Sequence, residues 1–214
     1  EVMVEMSPQP DGQYAIASAG DTYNTAVYLA RAGERTGYAS WLGDDPFSDS
    51  IVRDMQCENI DCSLIARLKG RQPGLYTIDN DADGERSFYY WRSQSPARDM
   101  LDGVSWLAQL EEALREVPYL YLTGITLAIS SDQGVENLLG LLAAYRAQGG
   151  RLVFDSNYRS ALWQSPEHAR AAINKLMPLV DIALPTLSDE GLLYPKESVE
   201  RCIERYCDAG ATEV

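Results

Sequence analysis

Short apolar, strand-like runs alternate with amphipathic runs of helical period along this chain. The alternation constrains the fold more than any other feature, because it is the order that a wound sheet with crossover helices requires. Residues 2–6, 119–122, 151–154 and 182–184 read as strands. Residues 20–32, 105–117, 131–148, 166–177 and 196–209 read as helices, and Ala26, Val27, Leu29 and Ala30 make one apolar face of the first. Asp44-Asp45-Pro46 opens another helix with an acidic cap and a first-turn proline. Ser131 caps the helix that Gly149-Gly150 stops. The expectation is an α/β fold, a three-layer αβα, Rossmann-like sheet in a single domain over residues 1–214.

One region breaks the pattern. Residues 74–79 and 86–92 are rich in β-branched and aromatic side chains, and residues 80–85 join them with turn chemistry, so a β-hairpin is expected. Residues 13–18 add a further strand. The expectation is a small β-sheet lid from 13–18 and 73–92; an edge hairpin without a role is the plainer alternative. The chain opens inside a strand without an initiator methionine, and Ala211-Thr212-Glu213-Val214 reads as the beginning of another strand. The domain is therefore expected to be incomplete and to continue past Val214.

Charge removes several partners. A net charge of −14 repels nucleic acid phosphates and anionic membranes, and the arginines are scattered, so neither partner is expected. A pocket can still gather a few arginines around an organic anion. The longest apolar stretch, residues 138–145, is too short to cross a bilayer and no basic, apolar leader opens the chain, so a cytoplasmic location is expected. Cys57, Cys62, Cys202 and Cys207 form two C-x4-C pairs, a spacing that fits neither a zinc knuckle nor a redox pair, and they read as reduced thiols. The single histidine, His168, lies in a helical stretch and reads as a surface residue.

Neither a G-x-x-x-x-G-K-[ST] loop nor a G-x-G-x-x-G turn is present, which counts against P-loop kinases and dinucleotide dehydrogenases. Four segments carry polar chemistry instead. Gly20-Asp21-Thr22-Tyr23-Asn24 puts a glycine, a carboxylate and an amide at a helix start, a set suited to sugar hydroxyls and equally to a simple cap. Phe88-Tyr89-Tyr90-Trp91-Arg92 alternates so that Phe88, Tyr90 and Arg92 share one face. A phenol and a planar guanidinium there suit a carboxylate, and Tyr76 on the partner strand extends the wall; packing of an aromatic stripe is the commoner fate of such residues. Asp155, Asn157 and Arg159 follow a strand, at the end where wound sheets hold ligands, though Asp155 also suits a turn cap. Asp189 and Glu190 open a helix after another strand, where they suit either Mg²⁺ held through water or the helix dipole.

In this order, the segments resemble the ribokinase-like (PfkB) family of carbohydrate kinases, and most closely its 2-keto-3-deoxygluconate kinases. Carrying the resemblance are Gly20-Asp21-Thr22 with Asn24-Thr25, Leu42-Gly43-Asp44-Asp45-Pro46-Phe47, Pro73-Gly74-Leu75-Tyr76, residues 84–92, residues 119–125, and Asp155-x-Asn157-Tyr158-Arg159 with Leu162-Trp163. The resemblance implies transfer of the γ-phosphoryl of ATP, with Mg²⁺, to the 6-hydroxyl of a sugar acid. It implies that Gly20, Asp21 and Asn24 hold sugar hydroxyls, and that Tyr76, Tyr90, Arg92 and Arg159 meet the carboxylate end. Asp155 and Asn157 would lie toward the phosphates, and Asp189 and Glu190 toward the metal. Thr186 stands where the family's Asn-x-x-Glu motif has asparagine, a departure at the metal segment. The family's glycine-rich anion hole and its proton-accepting aspartate are expected beyond Val214, which would leave this chain alone inactive. The resemblance also implies a homo-oligomer, a dimer or higher. A neutral-sugar kinase such as a fructokinase and a non-catalytic sugar-acid-binding fragment are the rival readings.

Overall fold

The computed structural model describes residues 1–80 and 86–214. Their contacts gather into two compact units, residues 1–100 and 101–214. The first unit runs β1 (Met3–Pro8), β2 (Tyr14–Ala19), α1 (Asp21–Arg31), β3 (Ser40–Gly43), α2 (Pro46–Cys57), β4 (Ile65–Leu68), β5 (Gly74–Asn80) and β6 (Arg86–Trp91). Four of these strands make one sheet in the order β2-β1-β5-β6. β1 pairs antiparallel with β2 and parallel with β5, and β5 pairs antiparallel with β6. The three strands expected in the lid thus lie in one sheet. The structure adds β1 between them; of the turn expected at 80–85, Asn80 ends β5 and residues 81–85 lie outside the described residues.

Strand period explains how β1 serves two purposes. Val2 and Val4 enter a core with Tyr23, Val27, Leu42, Ile51 and Met55, which come from α1, β3 and α2. Met3 turns to the other face and packs with Ala19, Tyr76 and Ile78. The second, unforeseen sheet is the parallel pair β3–β4. Asp45 caps α2, accepting from the amides of Phe47 (2.9 Å) and Ser48 (3.2 Å). Asp44 accepts from the Gly70 amide at 2.7 Å. The Leu-Gly-Asp-Asp segment is therefore scaffolding that ties α2 to the loop before β5.

The second unit runs α3 (Val104–Leu114), β7 (Tyr119–Thr123), α4 (Gly124–Ile129), α5 (Asp132–Ala147), β8 (Arg151–Asp155), α6 (Pro166–Leu176), β9 (Ile182–Ala183), α7 (Leu187–Leu193) and α8 (Val199–Ala209). Its strands form a parallel sheet in the order β7-β8-β9. Leu152 and Phe154 of β8 are fully buried. Ser131 and Ser165 cap α5 and α6 through the amides of Gly134 (2.9 Å) and His168 (3.2 Å). Ser198 caps α8, which starts three residues later than its periodicity predicts because Lys196 has φ 80°, outside helical space. Glu213 pairs with Ile182 as a parallel bridge, in keeping with a strand beginning there. His168 is half-buried rather than on an open surface, edge-on to Trp163 at 5.6 Å and 3.6 Å from Asp132. The four cysteines are free thiols. Among the described residues no helix is long and apolar enough to cross a membrane.

Candidate functional site

In the first unit, the face of the four-stranded sheet that carries Met3 also carries Glu1, Glu5, Gly74, Tyr76, Tyr90 and Arg92, because register and strand period place them together. Tyr76 lies opposite Tyr90, with ring centroids 5.5 Å apart, and the Arg92 guanidinium sits 5.7 Å from the Tyr90 ring centre. Three of the predicted residues are thus brought together on one face. Tyr90 is exposed, whereas Tyr76 and Arg92 are buried.

Gly20 precedes α1 and adjoins the start of the sheet. A Cβ on Gly20 would lie 2.0 Å from the Glu1 carbonyl oxygen, so only glycine lets these backbones approach. Its carbonyl accepts from the Asn24 amide at 2.8 Å, in the first turn of the helix. Asp21 is half-buried and the Asn24 side chain faces outward. Thr22 and Tyr38 share a hydroxyl–hydroxyl bond of 2.7 Å, and burial holds the Tyr38 phenol protonated far above its ordinary range.

Two residues that sequence reasoning passed over control this face. Glu1 is fully buried on its side chain and pairs with Arg92 through Oε2 and Nη2. Glu5 accepts a hydrogen bond from the Tyr76 hydroxyl. Burial first, and then the bond to Glu5, pushes the Tyr76 phenol well above its usual value, so it stays a donor at any physiological pH. The only signal in the sequence was a pair of acids bracketing an otherwise apolar strand. Arg92 is therefore a neutralised cation, not a bare one. The side chains of Glu1, Glu5 and Arg92 together carry more negative than positive charge.

In the second unit the carboxyl ends of β7 and β8 meet, with Thr123 in register with Asp155. Asp155 accepts from the Asn157 amide (3.0 Å) and from the Tyr121 hydroxyl (3.2 Å). Asn157 has φ 29°, an uncommon conformation for a side-chain-bearing residue and one that asparagine tolerates better than most. Asp189, in the first turn of α7, accepts through Oδ2 from the Tyr158 amide at 3.1 Å and from Arg159 Nη1 at 3.4 Å. Arg159 is half-exposed. Asp155, Asn157, Arg159 and Asp189 thus gather around the turn after β8.

Glu190 requires a correction. It is 3% exposed, and both carboxylate oxygens are taken: Oε2 by Arg205 at 2.6 Å and Oε1 by the Tyr206 hydroxyl at 2.8 Å. The Glu190 and Glu197 carboxylates and the Cys202 sulfur lie within 4.8 Å of one another, but Arg205 already supplies the cation, reaching Glu197 at 2.8 Å as well. A buried acid so satisfied is not available to a metal. Of the two acids expected at the metal, Asp189 remains; among the described residues its side chain accepts through Oδ2, and it is partly exposed.

A family model described as pfkB family carbohydrate kinase matches residues 4–214. The chain is 42% identical over 218 aligned positions to a 2-dehydro-3-deoxygluconokinase of Escherichia coli (strain K12), an alignment covering all of this chain and 70% of that protein. The fold superposes on a PfkB protein from Polaromonas sp. JS666 with a TM-score of 0.86 and 30% identity, over 99% of this chain and 72% of the other. It also superposes on a fructokinase from Xylella fastidiosa solved with bound ATP, with a TM-score of 0.83 over 97% of this chain and 63% of that one. At 20% identity that last likeness is one of fold.

Proposed function

Because the chain belongs to the pfkB family of carbohydrate kinases, we propose that its protein is a 2-dehydro-3-deoxygluconokinase. It transfers the γ-phosphoryl group of ATP to the 6-hydroxyl of 2-dehydro-3-deoxygluconate, also called 2-keto-3-deoxygluconate. The observation that carries the acid-specific part is the shared face of Tyr76, Tyr90 and Arg92 beside Gly20. In this reading residues 1–214 belong to one kinase domain.

Each side chain then has a chemical task. Arg92 receives the carboxylate, since a planar fork of donors matches its two oxygens, and Arg159 offers the same fork at the turn after β8. Tyr76 and Tyr90 add phenolic donors and apolar walls. Asp21 and Asn24 accept and donate to hydroxyls, and Gly20, packed against the Glu1 backbone, sets the helix amides beside the sugar. The sheet covers the acceptor and keeps out water, which would otherwise take the phosphoryl group. Asp155 and Asn157 orient the phosphate side of the turn after β8. Asp189 would hold Mg²⁺ through water; the ion, when bound, neutralises charge on the phosphates.

With the intact protein, kcat/KM for 2-dehydro-3-deoxygluconate is expected to exceed that for fructose or ribose by about a hundredfold or more, the discrimination a buried charged hydrogen bond supplies. Equal turnover of the neutral sugars would refute the acid-specific reading. We also propose a homo-oligomer. Ile16, Tyr89 and Trp91 are exposed on the opposite face of the same sheet, an apolar surface of the kind that partners cover. Light scattering should give at least twice the monomer mass, and Trp91→Glu should return it to the monomer value; a monomeric wild type would rule this out.

A further inference from the structure

We propose that Glu1 is a specificity-determining residue of the acceptor site, reading, together with Arg92, a carboxylate whose neighbouring carbon bears a hydroxyl. The inference rests on the acceptor-site reading above. Arg92 and Glu1 meet through one hydrogen bond, Nη2 to Oε2. The Arg92 side chain is 9% exposed and that of Glu1 not at all. Two polar atoms of opposite sense remain. Arg92 Nε is a donor, Glu1 Oε1 is an acceptor, both are buried, and neither has a hydrogen-bond partner among the described residues.

Buried polar atoms are nearly always paired, so a donor and an acceptor left over on the same ion pair point to a ligand that supplies both senses side by side. The placement agrees. The point where a Gly74 Cβ would sit is 3.1 Å from Glu1 Oε1 and 3.1 Å from Arg92 Cβ. Oε1 and the Arg92 stem therefore flank Gly74 on the face that holds Tyr76 and Tyr90.

A carboxylate by itself offers only acceptors. It satisfies Nε and repels Oε1. A hydroxyl on the adjoining carbon supplies the missing donor. An open-chain 2-keto acid has none there, but its cyclic hemiketal does: a sugar hydroxyl oxygen bonds to C2, the carbonyl π bond breaks, and the proton moves to the former carbonyl oxygen. No atom is lost. The geometry thus selects the 2-hydroxy carboxylate pattern of the closed form.

The test is calorimetry, without ATP, on the intact wild type and on Glu1→Gln. The ligands are 3-deoxygluconate, which carries a C2 hydroxyl, and 2,3-dideoxygluconate, which has only hydrogens there. Wild type should bind the first about tenfold or more tighter, because a site built to pair a hydroxyl rejects the analogue lacking it. Glu1→Gln turns an amide N–H toward the position of Oε1, and the difference should shrink to about twofold or less. Equal binding of both acids by wild type, or a preference that survives Glu1→Gln, overturns the inference alone. If neither acid binds, the acceptor-site reading falls and takes this inference with it. The wild-type comparison does not depend on any variant folding.

Discussion

Arg92→Ala is expected to lower kcat/KM for 2-dehydro-3-deoxygluconate about a hundredfold or more and also to lower stability by about 3–5 kcal/mol. Both losses follow from one contact. Arg92 is buried against a fully buried Glu1, so its removal strands a carboxylate with no counter-charge as well as deleting the donor meant for the substrate. The single variant therefore confounds folding with function. Replacing both partners, Glu1→Gln with Arg92→Met, removes the charges together and should restore most of the lost stability, since neutral isosteres of buried pairs are often no less stable. Turnover of the acid should remain low. Denaturant unfolding and steady-state kinetics on both variants check this, and recovery of acid turnover in the double variant would remove Arg92 from the site.

Gly20→Ala is the second large effect. Its added Cβ would stand 2.0 Å from the Glu1 carbonyl oxygen and 3.1 Å from Val2 Cα, both backbone atoms beside the core strand. Neither can swing away like the end of a side chain, so β1 and the start of α1 must separate. The expected cost is about 1–3 kcal/mol or more of stability, with at least a tenfold loss in acceptor affinity as Glu1 and the helix amides shift. Gly140, inside α5, is the control: a Cβ there meets nothing within 4 Å. Gly140→Ala should stabilise by about 0.5–1 kcal/mol through helix propensity and leave turnover unchanged. Thermal melts and kinetics separate the two, and a Gly20→Ala protein with wild-type affinity would show that the close approach has no bearing on binding.

Helix caps were legible because capping is local: Asp45 and Ser131 each reach amides two or three residues away. The start of α8 was misplaced because a helical hydrophobic pattern does not reveal a φ of 80° at Lys196. The shared face of Tyr90 and Arg92 followed from strand period, which needs no tertiary information. That Tyr76 joins them depended on pairing, and the register of β5 with β6 supplied it. Glu190 misled because an acid in the first turn of a helix looks alike whether it faces solvent or an Arg205 fifteen residues on.

Local order along the chain was enough to establish an α/β architecture, the sheet that holds the hairpin, and the short list of residues with ligand chemistry. Which of them are free to act was decided by contacts between residues far apart in sequence. Glu1 and Arg92 are separated by 91 positions and meet only because β1 lies beside β5 and β5 beside β6. Periodicity and propensity are properties of a few neighbouring residues. The charge state and reach of a buried side chain are set by whatever the fold packs against it.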